Sequence, residues 1–127
     1  MKIKDNRPKH LNLFKIHLPI TGIASINHRI SGLILFLAIP LSLYLFQLSV
    51  TSETAYKEAL SFLSSPWIKL VSVILVWSFV HHILAGFRFL LIDQNIGVTL
   101  SLSRKTAWGV VLAAVIITLI IIGVWLL

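Results

Sequence analysis

Charged residues divide this chain into three long stretches of unbroken apolar character. Ile30 to Ser52 runs 23 residues without a charge, Leu70 to Phe87 runs 18, and Thr106 to Leu127 runs 22. Beyond Arg88 the second stretch stays apolar to Ile92. A helix needs about 20 mostly apolar residues to cross the roughly 30 Å hydrocarbon core of a bilayer. The pattern therefore predicts three transmembrane helices, at about 23–50, 66–92 and 105–127. They follow an N-terminal segment at 1–22, and the whole of 1–127 forms a single membrane-anchor domain. Strands do not fit, because the stretches are continuously apolar, whereas membrane-barrel strands alternate and are about half as long. The expected fold class is all-α, an integral membrane protein.

The edges of the stretches carry helix-end signals. Pro19 and Thr21 precede the first span, and Pro40 inside it lacks the N–H for a helical bond and is expected to kink it. Ser64-Ser65-Pro66-Trp67 combines a capping serine, a proline in the first turn and an interfacial tryptophan. The segment 51–66, with Glu53, Lys57 and Glu58, predicts a short helix or turn outside the membrane. Asp93-Gln94-Asn95-Ile96-Gly97 predicts a turn, and Ser103 is the expected cap of the third span. Trp67, Trp108 and Trp125 are placed as interface anchors.

Composition agrees: 57% of residues are hydrophobic, 12% are charged and the mean hydropathy is +0.95. Soluble domains average about 45–50% apolar and about 25% charged. The net charge of +7 would suggest nucleic acid in a soluble protein, but the basic residues lie mostly outside the apolar stretches and act as topology signals, so no nucleic-acid partner is expected. The N-terminal segment and helix entrance carry Lys2, Lys4, Arg7, Lys9, Lys15 and Arg29. The second connection region carries Arg88, Arg104 and Lys105, and the first holds only Lys57 and Lys69. By the positive-inside rule the N-terminus is expected in the cytoplasm, with the C-terminus outside. The first span is too long for a signal h-region and lacks a small-residue cleavage site. There is no cysteine, which excludes a disulfide framework, a thiolate zinc site and an iron–sulfur cluster ligated by this chain alone.

Polar groups inside membrane spans are costly and tend to be functional. Two clusters qualify. In Ser25-Ile26-Asn27-His28-Arg29-Ile30-Ser31-Gly32, Ser25 and Arg29 share a helix face at i, i+4, with His28 beside them. Such a group can hydrogen-bond the carbonyls of a quinone, or it can simply anchor a helix at the interface. In the second cluster, His81-His82 is followed by Gly86, Arg88 and Asp93. His82 lies 11 residues before Asp93, about 16 Å along the axis. An imidazole at that depth needs a partner. A histidine, a glycine one turn on that clears space, and an arginine for a propionate would suit a membrane haem. An interhelical hydrogen bond from the histidine to a serine or carbonyl suits the same residues. His10 and His17 are expected to be solvated. No Walker loop, GxGxxG, HExxH or nucleophile elbow is present.

Taken together, Arg7-Pro8, Asn12-Leu13, Pro19-Ile20-Thr21, Ser25 to Gly32 and the run His82-Ile83-Leu84-Ala85-Gly86-Phe87-Arg88-Phe89-Leu90-Leu91-Ile92-Asp93 resemble the two signatures of the cytochrome b subunit of succinate dehydrogenase, in order and over essentially the whole chain. Lys9 stands where the family usually has an aliphatic residue, Ile92 where it has a methionine or aromatic, and Phe89 where some members have histidine.

The resemblance implies a haem-b-binding membrane anchor of respiratory complex II, part of a helical bundle completed by a second hydrophobic anchor subunit. By that likeness His82 is one axial ligand of the haem iron and the other comes from the sister anchor. Ser25 and Arg29 line the ubiquinone site, and His28 and Arg29 approach the haem propionates. An iron–sulfur subunit and a flavoprotein subunit complete the complex. The chain has no catalytic residue of its own. It positions cofactor and substrate, while electrons pass from succinate to quinone. The anchor of a quinol:fumarate reductase shares this architecture and is the alternative. Of the two adjacent histidines, about 100° apart on a helix, His82 is favoured by both the motif and the glycine one turn away. His81 is left to bond a neighbouring helix or line the pocket.

Overall fold

The computed structural model describes residues 17–126. They form four helices and no strand: α1 (Ile20–Thr51), α2 (Glu53–Ser64), α3 (Pro66–Asp93) and α4 (Leu100–Leu126). Among the described residues three of these, all but α2, are long and apolar enough to cross a membrane. The basic N-terminal segment up to Ile16, with His10, lies outside the described residues. His17 is exposed.

Local chemistry accounts for the helix boundaries. Pro19 stands before α1 with extended backbone, and its carbonyl accepts from the Gly22 and Ile23 N–H groups at 2.8 and 3.1 Å. Pro40 lies inside α1, which runs as one helix of 32 residues, about 48 Å long. That exceeds the hydrocarbon thickness, so α1 extends into an interface. The segment between the first two spans is helical: Ser52 caps α2 by accepting the Ala55 N–H at 3.1 Å. Lys57 and Glu53, one turn apart on its exposed side, pair at 2.6 Å, a contact worth little in solvent. Pro66 opens α3 at the first position, after Ser65, whose side chain makes no capping bond. After α3 the chain reverses through Asn95 and Gly97, both with positive φ (61° and 80°), where glycine and asparagine are the tolerated residues.

The expected cap of the last span is corrected. The Ser103 N–H already donates to the Thr99 carbonyl at 2.8 Å and α4 begins at Leu100. Ser103 is thus inside the helix, and its hydroxyl has another use.

Packing follows membrane rather than aqueous logic. α3 packs against both α1 and α4, which also pack against each other, and α2 packs against α1 and, less extensively, α3. The buried residues are small or polar: Ala24, Ala55, Ala59, Ala85, Ala107 and Ala114, with Ser31, Ser78, His81, Arg88 and Thr118. Small residues let helix backbones approach where no hydrophobic effect drives them together. Large side chains such as Phe36, Phe46, Phe79 and Leu119 point outward. An outer surface this apolar is suited to lipid or to other apolar subunits. Thr118, the polar residue in the middle of α4, donates to the Ala114 carbonyl at 2.7 Å. It is thereby satisfied within its own helix.

Candidate functional site

The two polar clusters meet where the first third of α1 crosses the second half of α3. An α-helix brings residues at i, i+4 and i+7 to one face, so His82, Gly86 and Phe89 form one line on α3, and His81, Ala85 and Arg88 form the next. The first line faces α1 at His28. The His28 and His82 rings stack with centroids 4.2 Å apart and planes 8° from parallel, and His28 meets Phe89 edge-on at 5.3 Å. A Cβ at Gly86 would lie 3.4 Å from His28 Nε2. The missing side chain at Gly86 thus lets His28 of α1 approach α3, one of the two uses expected of it, since the sequence offered the space to a flat ligand or to a second helix. The glycine under His82 is Gly32 on α1, where a Cβ would come within 2.9 Å of His82 Cε1.

His82 is held through one ring nitrogen. Its Nδ1 lies 3.1 Å from the His28 carbonyl oxygen and 3.2 Å from Ser31 Oγ. The interhelical histidine–serine contact anticipated from the sequence is present, and it leaves Nε2 without a hydrogen bond among the described residues. The ring itself is half-buried. A bonding pattern that engages Nδ1 and spares Nε2 is the one a metal-ligating histidine needs. The residues present thus fit one side of a haem iron. Among the described residues no group of three or more histidines and acids gathers as a closed metal site.

His81 behaves differently. It is fully buried and stacks on Trp77 with centroids 5.2 Å apart. The backbone of Ala24 faces it, yet neither ring nitrogen attains hydrogen-bond geometry among the described residues. The sequence expected it to bond a neighbouring helix or to line the pocket; its ring is packed inside the chain's own bundle, facing the α1 backbone at Ala24. Ser78, one turn earlier, is buried and equally unpartnered.

Arg88 is also redirected. The sequence offered it to a propionate or to the interface, but its side chain is buried and turned to α4. Nε donates to Thr106 Oγ1 at 3.1 Å, and Nη2 donates to the Ser103 carbonyl and hydroxyl, both at 3.0 Å. The guanidinium also lies 5.4 Å from the Phe89 ring. Ser103 and Thr106 were missed as functional partners; a buried arginine in a span with hydroxyls across a short turn was the available signal. Ser25 is half-buried on α1 and Arg29, one turn on, is exposed. Together they leave a hydroxyl and a cation accessible beside the histidine pair. A cavity of about 670 Å³ between Leu60, Lys69, Val76 and Trp125 is at the opposite end of the bundle and has no part in this cluster.

Comparison with known proteins agrees with this arrangement. The family model described as the succinate dehydrogenase/fumarate reductase transmembrane subunit matches residues 3–122. The chain is 36% identical over 121 residues to the succinate dehydrogenase cytochrome b556 subunit of Coxiella burnetii, covering 94% of this chain and 96% of that one. It is 27% identical over 118 residues to the subunit of the same name from Paracoccus denitrificans, covering 92% and 90%. With Rickettsia felis the figure is 28% over 122 residues, at 94% of each. Three apolar spans, two polar clusters brought together across α1 and α3, and a match along nearly the full length lead to one assignment: the chain belongs to the family of succinate dehydrogenase/fumarate reductase transmembrane subunits.

Proposed function

We propose that this chain is the haem-b-binding anchor of a succinate:ubiquinone oxidoreductase, with His82 as one axial ligand and Ser25 and Arg29 as the chain's share of the quinone site. The observation that carries the reading is the hold on His82: Nδ1 is engaged by α1, and Nε2 has no hydrogen bond among the described residues. The haem would supply one-electron storage beside the quinone. This chain's residues orient and tune. His82 offers a lone pair, while His28 and Arg29 offer donors to propionate oxygens. The Ser25 hydroxyl donates to a quinone carbonyl, and the Arg29 guanidinium stabilises negative charge as it develops on the quinone oxygens.

A sister anchor supplies the other axial histidine, an iron–sulfur subunit delivers electrons, and a flavoprotein oxidises succinate. The basic N-terminal segment supports an N-terminus on the cytoplasmic side, in what this reading takes to be a bacterial inner membrane. The cluster at the start of α1 and the end of α3 then faces the soluble subunits.

The test is spectroscopic. In the purified complex His82→Ala is expected to lose the low-spin six-coordinate haem spectrum, and His81→Ala to keep it. A six-coordinate His82→Ala protein beside a five-coordinate His81→Ala protein would move the ligand to the other histidine and overturn the assignment.

A further inference from the structure

We infer that Ser31 is a positioning residue for His82, fixing its tautomer and ring plane so that Nε2 is the nitrogen offered to a metal. The inference rests on the reading of His82 as an axial ligand and adds what holds that ligand in place.

The tautomer follows from donor and acceptor counting. A carbonyl oxygen only accepts, so the contact between His82 Nδ1 and the His28 carbonyl requires a proton on Nδ1. Ser31 has one hydroxyl proton, and it goes to that same carbonyl at 2.8 Å. Toward His82 the Ser31 oxygen is therefore left as an acceptor, and its 3.2 Å contact again needs the proton on Nδ1. Both partners select the same tautomer. With the proton on Nδ1, Nε2 carries the lone pair.

Geometry makes Ser31 more than a bystander. It is fully buried and adjacent to Gly32, whose missing side chain lets the α1 backbone come under the ring. The opposite wall is His28, stacked nearly parallel. The ring is thus bounded by a stack on its face, bare backbone at Cε1, and two acceptors at Nδ1. An acceptor on the remote nitrogen of a ligating histidine raises the basicity of the ligating one. More basic ligation favours the oxidised metal, so removing one of the two acceptors shifts the haem midpoint potential in the positive direction.

The experiment uses the whole membrane complex with its haem, and reads the redox titration of the reduced haem band together with low-temperature EPR of the oxidised haem. Ser31→Ala is expected to retain haem, to shift the midpoint potential positive and to move the low-spin g values. Ser31→Thr, which keeps the hydroxyl, is expected to restore both. Should Ser31→Ala fail to assemble, Ser31→Cys carries the same expectation, since a thiol of similar size is a weak hydrogen-bonding group. Unchanged potential and g values in an assembled alanine or cysteine variant overturn the role of Ser31. Retention of a six-coordinate spectrum by His82→Ala overturns the ligand assignment beneath it instead, so the two failures are distinguishable.

Discussion

At the scale of single residues, two glycines at the α1–α3 crossing have different tasks. A Cβ at Gly32 would sit 2.9 Å from the His82 ring, closer than real Cβ contacts permit, whereas one at Gly86 would meet His28 at 3.4 Å. Gly32→Ala is expected to push His82 off its two acceptors and to broaden or weaken the six-coordinate haem band, with Gly86→Ala closer to wild type. Equal spectra for the two variants would mean that the ring has room the packing does not suggest. Ser25 and Arg29 act on a different molecule. Ser25→Ala or Arg29→Leu is expected to lower succinate:quinone activity about 10-fold or more, the order of about 1.4 kcal/mol or more of lost interaction at the quinone oxygens. Succinate oxidation with an artificial acceptor that bypasses the membrane site should survive. Arg29→Lys should also impair, because lysine keeps the charge without the planar fork. Parallel loss of both activities would assign these residues to assembly.

At the scale of elements, α3 carries two functions on adjacent faces. His82, Gly86 and Phe89 meet His28 on α1, while His81, Ala85 and Arg88 are buried within the bundle. Arg88 fastens the end of α3 to the first turns of α4 through Ser103 and Thr106. Hydrogen bonds from a charged donor contribute about 1.5–3 kcal/mol, and the connection they brace is a short turn with two positive-φ residues. Arg88→Ala is expected to destabilise the complex by about 2 kcal/mol, seen as earlier unfolding in a detergent titration, with the haem spectrum of the assembled protein close to wild type. A lost haem band at unchanged stability would place Arg88 on the cofactor instead.

At the scale of the whole molecule, the outer surface and the end-to-end arrangement decide how the chain sits among partners. The start of α1, the end of α3 and the start of α4 share one end, and α2 and the large cavity between Leu60 and Trp125 share the other. Lys69 stands over the Trp125 ring at 5.6 Å at that second end. Along the sequence, nine basic residues lie before the first span, at its entrance or around the α3–α4 connection, and two lie around the connection between the first and second spans. Reporter fusions at Thr54 and Gln94 are therefore expected to lie on opposite sides of the membrane, with Gln94 cytoplasmic. Both reporters on one side would sink the topology and the shared placement of the two clusters.

The length and position of the apolar stretches were legible in the sequence because a bilayer imposes them residue by residue: about 20 uncharged positions are a local property. The family was legible too, in two ordered motifs that keep their register within a helix. What the sequence left open was how one helix face meets another. Large apolar side chains surround most of α1, α3 and α4, so no strong amphipathic stripe marks the inner face of each. Only packing decided that Gly32, not Gly86, lies under His82, and that Ser31 and the His28 carbonyl take the Nδ1 proton. Packing likewise turned Arg88 to Ser103 and Thr106, and buried His81 against Trp77. Each of these joins residues from different helices or across a turn, at a rotation and depth that depend on all the small side chains along the seam. A periodic pattern within one helix does not contain that information; the crossing of two helices does.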